Sequence, residues 1–315
     1  MTQSVDDYVI GVDIGGTNLK IGALLPNGEV LCKMTTPSQV HEGRDSVIKR
    51  ILSAIEEVKC RAGELDLAGV GIGIAGAVNQ RDGMVVQAPN LPGWEGFRVV
   101  EELSEVLSCP IVIDNDANVF TLGEGWRGAA RESRNFCCLT LGTGVGGGLV
   151  LDGRLWYGVD GTAGEVGHIV VEPDGIQCDC GSRGCLEMYA SATALVRMAR
   201  EKGEGEGITA DEIARRARGG DEQCRHLFFS LARYLGIAMT DLVNLLNLDM
   251  IVLGGGLSVS CDLFLDEARK EMLDRSFTVP GERVKVLPAE LSSEGGMIGA
   301  AFLALQRAEM SGLDN

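Results

Sequence analysis

The sequence predicts an α/β protein of two domains, and three observations carry that reading. The chain has 315 residues, against roughly 100–200 for a typical domain. Strand-like and helix-like stretches alternate along it. A strand, a glycine-rich turn and a return strand occur twice, once opening at residue 9 and again at residue 136, which points to a duplicated domain. Composition agrees: 45% hydrophobic, 23% charged, 44 Gly and 8 Pro describe a globular chain with a buried core, not a disordered or collagen-like one. A formal charge of −17 argues against a broad DNA- or RNA-binding surface. The apolar stretches 67–78 and 250–261 are short and broken by glycine, below the ~20 residues of a membrane span. The acidic start, without the basic flank of a signal peptide, leads us to expect a cytoplasmic protein.

Residues 9–14 alternate into Gly15-Gly16, 20–25 resume as a strand, and Pro26-Asn27-Gly28 turns the chain into a third strand at 29–33. Over 45–62 the apolar residues Val47, Ile48, Ile51, Leu52, Ile55 and Val58 recur at helical spacing, with Gly63 as the stop. Residues 69–74 read as a strand covered on both faces. A helix near 97–107 leads to a strand at 110–113. The pattern then restarts: a strand at 136–141, a glycine turn at 142–148, a return strand at 149–151 and a hairpin signal at Asp152-Gly153. Helices follow at 193–202, 209–218 and 222–247, then a strand at 250–253 ending in Gly254-Gly255-Gly256, and a last helix at 296–310.

Five constellations could carry chemistry. Asp13-Ile14-Gly15-Gly16-Thr17-Asn18-Leu19-Lys20 lies between two strands, so neither P-loop nor dinucleotide-fold mechanics apply. Its glycines admit two readings, a cradle of backbone N–H groups for phosphate or a tight hairpin needing positive φ. In the first, Thr17 adds a hydroxyl and Asp13 holds Mg²⁺ directly or through water. Leu141 to Gly148 repeats the arrangement with Gly142, Thr143 and Gly144, and a second cradle facing the first would clamp a nucleoside triphosphate. The glycines at 254–256 could let a base or ribose lie against bare backbone, although such clusters also simply end strands. Asp114-Asn115-Asp116-Ala117-Asn118 follows a strand's carboxyl end, where ligands bind in open α/β sheets. It reads either as a helix cap or as a proton acceptor, Asp116, with a positioning amide, Asn115.

The fifth is the sharpest. Gly164-Glu165-Val166-Gly167-His168 precedes Cys178, Cys180 and Cys185, so three of ten cysteines fall within eight residues and one of three histidines lies ten residues upstream. One His and three Cys match a closed, structural zinc site; a disulfide such as Cys178–Cys185 is the alternative. Zinc on one ring nitrogen of His168 would leave the other for a sugar hydroxyl. Glu165 and Glu187 flank this ribbon as acceptors for vicinal hydroxyls. Asn90 adds an amide on a rigid turn, and Trp94 an aromatic to seal the cleft. The remaining seven cysteines, Cys32, Cys60, Cys109, Cys137, Cys138, Cys224 and Cys261, read as small core residues.

In this order, the segments 13–20, 114–118, 141–148, 164–168 and 178–187 resemble the ROK family of bacterial sugar kinases and sugar-responsive regulators, from residue 9 to about residue 304. Glu187-Met188-Tyr189-Ala190-Ser191, after the cysteines, is similar to its glucokinases. The resemblance implies an actin-like, hexokinase-like fold of two ribonuclease-H-type α/β domains around a cleft. We place the small domain at 1–114 plus 297–315 and the large one, with the zinc ribbon, at 115–296. It further implies Asp116 as catalytic base and Asn90, Asn115, Asp116, Glu165, His168 and Glu187 as sugar-holding residues. His168, Cys178, Cys180 and Cys185 would hold structural Zn²⁺. Asp13, Gly15, Gly16, Thr17, Asn18, Lys20, Thr143, Gly144, Gly254 and Gly255 would serve Mg²⁺ and ATP.

Two positions depart from the family pattern: Ala75 stands where Pro is common, and Asn18 where many members have Lys. The activity implied is ATP-dependent phosphorylation of a hexose at the 6-hydroxyl, glucose first, with N-acetylmannosamine or another hexose or N-acetylhexosamine as alternatives. A sugar-sensing repressor is disfavoured because only twelve residues precede Asp13, too few for a helix-turn-helix. Partners are then the hexose and ATP, with neither nucleic acid nor membrane, and a dimer or tetramer is expected from the family.

Overall fold

In a computed structural model, the structure of the protein is described over residues 7–313, with side chains to residue 310. Three opening strands form the predicted meander: β1 (Asp7–Ile14), β2 (Asn18–Leu24) and β3 (Val30–Pro37). Helix α1 (Arg44–Ala62) buries Val47, Ile48, Ile51, Ala54, Ile55 and Val58 along one stripe and ends at Gly63, whose φ of 85° only glycine adopts readily. Then come β4 (Asp66–Ile74), a small hairpin of β5 (Ala77–Asn79) and β6 (Met84–Gln87), helix α2 (Val99–Ser104), β7 (Ile111–Asn115) and α3 (Asp116–Arg127). The five main strands order as β3-β2-β1-β4-β7, antiparallel through the meander and parallel from β1 to β4 to β7.

A second sheet repeats this. Strands β8 (Phe136–Leu141), β9 (Val145–Leu151) and β10 (Arg154–Leu155) form its meander, and β11 (Met250–Gly254) and β12 (Lys285–Pro288) its parallel half, in the order β10-β9-β8-β11-β12. The predicted duplication is therefore present in topology. Asp152 and Gly153 turn β9 into β10 with φ of 55° and 77°, the twin positive values of a tight hairpin turn. Helices α4 (Glu187–Ala190), α5 (Ala192–Glu201), α6 (Ala210–Arg218), α7 (Glu222–Leu246), α8 (Leu265–Arg275) and α9 (Thr278–Arg283) complete this part. Helix α7 supplies much of its core through Leu227, Phe228, Leu231, Leu235, Met239 and Val243.

Helix α10 (Gly295–Leu313) lies on β1 and β4, on residues that exclude a side chain: a Cβ on Gly71 would sit 1.9 Å from the Ala300 carbonyl oxygen, and one on Gly11 2.0 Å from that of Met297. Within the described residues the chain divides into one unit of 7–132, 155–163 and 293–313, and another of 133–154 and 164–292. This departs from the boundary expected at 114/115, because α3 packs on α10, with Gly123 against the Gly295 carbonyl and Gly299 against that of Val119.

Three smaller expectations are also corrected. Residues 146–148 are strand, not turn: Thr140 pairs with Gly146, Leu139 with Gly147 and Cys138 with Gly148. Gly147 is glycine because a Cβ there would meet the Gly164 carbonyl at 2.6 Å and Val166 at 2.7 Å. Trp94 seals nothing open; it is 1% exposed and packs edge-on against Phe97 in the core of the first unit. Cys60 is exposed, off the apolar stripe of α1, and Cys32 and Cys109 are half-buried at the margin of the first unit's core.

Candidate active site

In the first unit the β1–β2 turn presents Gly15, Gly16, Thr17 and Asn18, closed by a bond from the Gly15 N–H to the Asn18 carbonyl at 3.0 Å. Neither glycine has positive φ, and a side chain at Gly16 would project into open space. The hairpin reading thus loses its reason for glycine. Asp13, at the end of β1, lies against Gly296 in the first turn of α10, where a Cβ would be 2.7 Å from its carboxylate. Burial pushes its pKa up to about 6, opposed by the charge of Lys20. Lys20 Nζ donates to the Ser293 carbonyl at 2.6 Å, which holds it beside the same helix terminus.

Residues 114–118 form the helix cap of one reading and set the Asp116 carboxylate of the other at the helix start. Asn115 caps α3, its Oδ1 accepting from the N–H groups of Ala117 (2.9 Å) and Asn118 (3.2 Å) while Nδ2 donates to the Gly76 carbonyl (2.9 Å). Asp116 opens the helix, half-buried, its Oδ1 3.0 Å from the Ala117 nitrogen, where peptide dipoles favour negative charge. The cap therefore leaves the Asp116 carboxylate at the N-terminus of α3. Asn90 is exposed on the turn closed by the Leu91 N–H to the Ala88 carbonyl.

Sequence reasoning missed the support beneath this segment. Asp114, 2% exposed, accepts from Tyr157 Oη (2.7 Å), Asn118 Nδ2 (2.9 Å), the Asn115 N–H (2.7 Å) and Gln80 Nε2 (3.3 Å). Gln80 also donates to Tyr157 Oη at 3.0 Å. Burial raises the Asp114 pKa, and the donors from Asn118 and Tyr157 oppose the rise. Burial and that carboxylate together push the Tyr157 phenol up. The only local signal was the two further acidic or amide residues of the run, Asp114 and Asn118, since Gln80 and Tyr157 are distant in sequence.

In the second unit the β8–β9 turn is Gly142-Thr143-Gly144, closed by the Gly142 N–H to the Gly144 carbonyl at 2.9 Å. Gly142, like Gly16, has ordinary φ and open space where a side chain would project. Gly254 pairs with Thr140, and Gly255, at φ 81°, would bring a Cβ within 2.4 Å of the Leu141 carbonyl. Both glycines therefore flank this turn, Gly255 for a steric reason of its own. A cavity of ≈ 720 Å³ beside it is lined by Thr143, Thr193, Val196, Arg197, Arg200 and Ile208, among others.

His168, Cys178, Cys180 and Cys185 come together, their ligand atoms all within 4.8 Å of one another. His168 Nδ1 lies 3.7 Å from Cys178 Sγ, and Cys180 Sγ 3.6 Å from Cys185 Sγ. A tetrahedron with Zn–S of ~2.3 Å and Zn–N of ~2.0–2.1 Å has edges of about 3.5–3.8 Å, so the group fits zinc. The sulfur separation is far beyond the ~2.05 Å of a disulfide, and the cysteines are free. Because Nδ1 faces the sulfurs, Nε2 points away, 4.0 Å from Glu165 Oε2. Glu187, two residues after Cys185, turns its Oε2 onto the Val145 N–H at 2.9 Å.

The chain matches the ROK family over residues 9–307. It is 35% identical to a glucokinase of Thermotoga maritima over 95% of this chain and 98% of that one. Identity to a glucokinase of Streptomyces coelicolor is 37%, over 94% and 96%. A crystal structure of a ROK family glucokinase from Streptomyces griseus, in complex with glucose and AMPPNP, superposes with a TM-score of 0.81 at 34% identity, over 95% of this chain and 99% of that one. A family match over nearly the whole chain, with relatives above 30% identity along their full length, places the chain in the ROK family.

Proposed function

We propose that the protein is an ATP-dependent hexose kinase acting at the 6-hydroxyl, with glucose as its substrate. The observation that carries the phosphate-handling half is a glycine in each of the corresponding turns of two sheets of one topology, Gly16 between β1 and β2 and Gly142 between β8 and β9. Neither φ nor packing requires glycine at either. Backbone N–H groups of the two turns, with Thr17, Asn18 and Thr143, would hold the triphosphate of ATP. The cavity beside Thr143 has the volume of a nucleoside site, and Gly254 and Gly255 border the same turn. The substrate is supported by the similarity to glucokinases.

In this reading Asn90, Asn115, Glu165, His168 and Glu187 orient the hexose. Asp116 accepts the proton of the 6-hydroxyl as that oxygen attacks the γ-phosphorus and the bond to the ADP oxygen breaks. Asn115 keeps Asp116 at the helix terminus through its cap and its bond to Gly76. Asp13 would hold Mg²⁺, which neutralises charge on the phosphates, while Lys20 would meet a phosphate oxygen. His168 through Nδ1, with Cys178, Cys180 and Cys185, would hold Zn²⁺, which locks the ribbon and leaves Nε2 to a sugar hydroxyl.

The test is ADP release with ATP and Mg²⁺ across glucose, N-acetylmannosamine, N-acetylglucosamine, mannose and fructose, with Asp116→Asn alongside. Glucose should turn over fastest, and the variant should lose about 10²-fold or more in kcat with sugar affinity nearly kept. Preference for an N-acetyl sugar would replace the substrate and keep the mechanism. Sugar binding without any turnover would point to a sensor instead.

A further inference from the structure

We propose that Glu187 is also a positioning residue for the 142–145 turn, so that sugar and nucleotide binding are coupled through one carboxylate. The proposal rests on the reading above, in which Glu187 takes a sugar hydroxyl and the turn takes phosphates. Three hydrogen bonds fasten that turn to the segment after the last cysteine: the Ala192 N–H to the Gly142 carbonyl (2.8 Å), Thr193 Oγ1 to the Thr143 carbonyl (2.7 Å), and the Val145 N–H to Glu187 Oε2 (2.9 Å). The first two come from groups with no part in holding sugar. The third comes from a carboxylate whose two oxygens can serve two partners at once, Oε2 the turn and Oε1 a hydroxyl.

The contact is close on both sides. A Cβ on Gly144 would lie 2.2 Å from Oε2, so the carboxylate rests on the bare backbone of the turn. Its own place is set by the cluster, since Cys185 is two residues before it and the Leu186 N–H donates to the carbonyl of Ile169, next to His168. A hydroxyl donated to Oε1 would restrict the same carboxylate that orders Val145, and the nucleotide would then meet an ordered turn. Linkage makes the effect reciprocal.

Calorimetric titration of the full chain with the non-hydrolysable AMPPNP and Mg²⁺, with and without saturating glucose, reads the coupling directly. Wild type should bind the nucleotide about 10-fold more tightly with glucose, within the ~5–150-fold usual for coupled sites. Glu187→Gln has one acceptor oxygen for two partners, and its factor should fall to within about 2-fold of unity. Gly144→Ala pushes the carboxylate off the turn but leaves it both oxygens; it should lose the coupling with a smaller loss of glucose affinity than Glu187→Gln. Thr193→Val should weaken nucleotide binding and retain the coupling. Independent binding in wild type, or full coupling in both Glu187→Gln and Gly144→Ala, overturns the proposal and leaves the kinase reading standing. Failure of wild type to bind either ligand overturns both.

Discussion

Replacing Tyr157 by Phe removes one oxygen from beneath the proposed catalytic segment, and the structure sets the size of the effect. Tyr157 Oη donates to a carboxylate that is 2% exposed, at 2.7 Å, and accepts from Gln80. A hydrogen bond to a charged group is worth ~1.5–3 kcal/mol net. Gln80 Nε2 already lies 3.3 Å from the same Asp114 oxygen and can close on it in the variant, so the loss belongs in the lower half, about 1.5–2 kcal/mol. For a unit of this size that is roughly 3–8 °C in Tm. Removing the donor also raises the Asp114 pKa further, because burial already raises it and Tyr157 opposes that. The destabilisation is therefore largest where Asp114 is ionised and shrinks as pH falls through its titration. Thermal unfolding of Tyr157→Phe, Asp114→Asn and the double variant between pH 4 and 8 measures the coupling. Because Asp114 binds the Asn115 N–H and Asn118, kcat should fall several-fold in Tyr157→Phe with KM for sugar less affected. Additive effects of the two substitutions, or a Tm within 1 °C of wild type at every pH, would refute the claim that this buried pair supports Asp116.

Other tests address the metals. Elemental analysis should find about one zinc per chain, and Cys180→Ser or a strong chelator should lower the Tm of the second unit, since structural zinc contributes ~10–16 kcal/mol in small zinc peptides; fully stable protein with well under one zinc would sink the assignment. Asp13, raised from 3.8 to about 6, costs the ligand-free fold at most about 3 kcal/mol. A raised carboxyl pKa means that the folded state holds the proton more tightly. The cost is absent below pH ~4 and complete above pH ~6. Asp13→Asn should therefore raise Tm at pH 8 and not at pH 4, while abolishing Mg²⁺-dependent turnover; equal Tm shifts at both pH values would contradict the buried charge. In wild type an acidic limb near pH 6 should move lower when Mg²⁺ and nucleotide are bound, as a cation favours the ionised form.

Much of the architecture was legible because it is local. The two meanders, the apolar stripe of α1 and the long α7 depend on neighbours a few residues apart, and so do the turns at Gly15-Gly16 and Gly142–Gly144. The His–Cys₃ cluster was legible for the same reason: its four residues fall within residues 168–185, and spacing alone brings them near one another. Helix α8 and strand β12 were missed, one for its weak apolar stripe of Leu265, Ala268 and Met272, the other for its four residues.

Tertiary packing decided what no window of sequence contains. Trp94 is core because Phe97 and the first unit close around it, and residues 146–148 are strand because they pair with Cys138, Leu139 and Thr140 of β8. Helix α3 belongs with the first sheet because Gly123 and Gly299 let two helices touch. Asp114 acquires its role only when Gln80 and Tyr157 arrive from far along the chain. Local periodicity and ligand spacing reveal which elements and which chemistry the chain carries. Which face a side chain presents, and what stands behind a catalytic group, depends on close-packed contacts between segments distant in sequence.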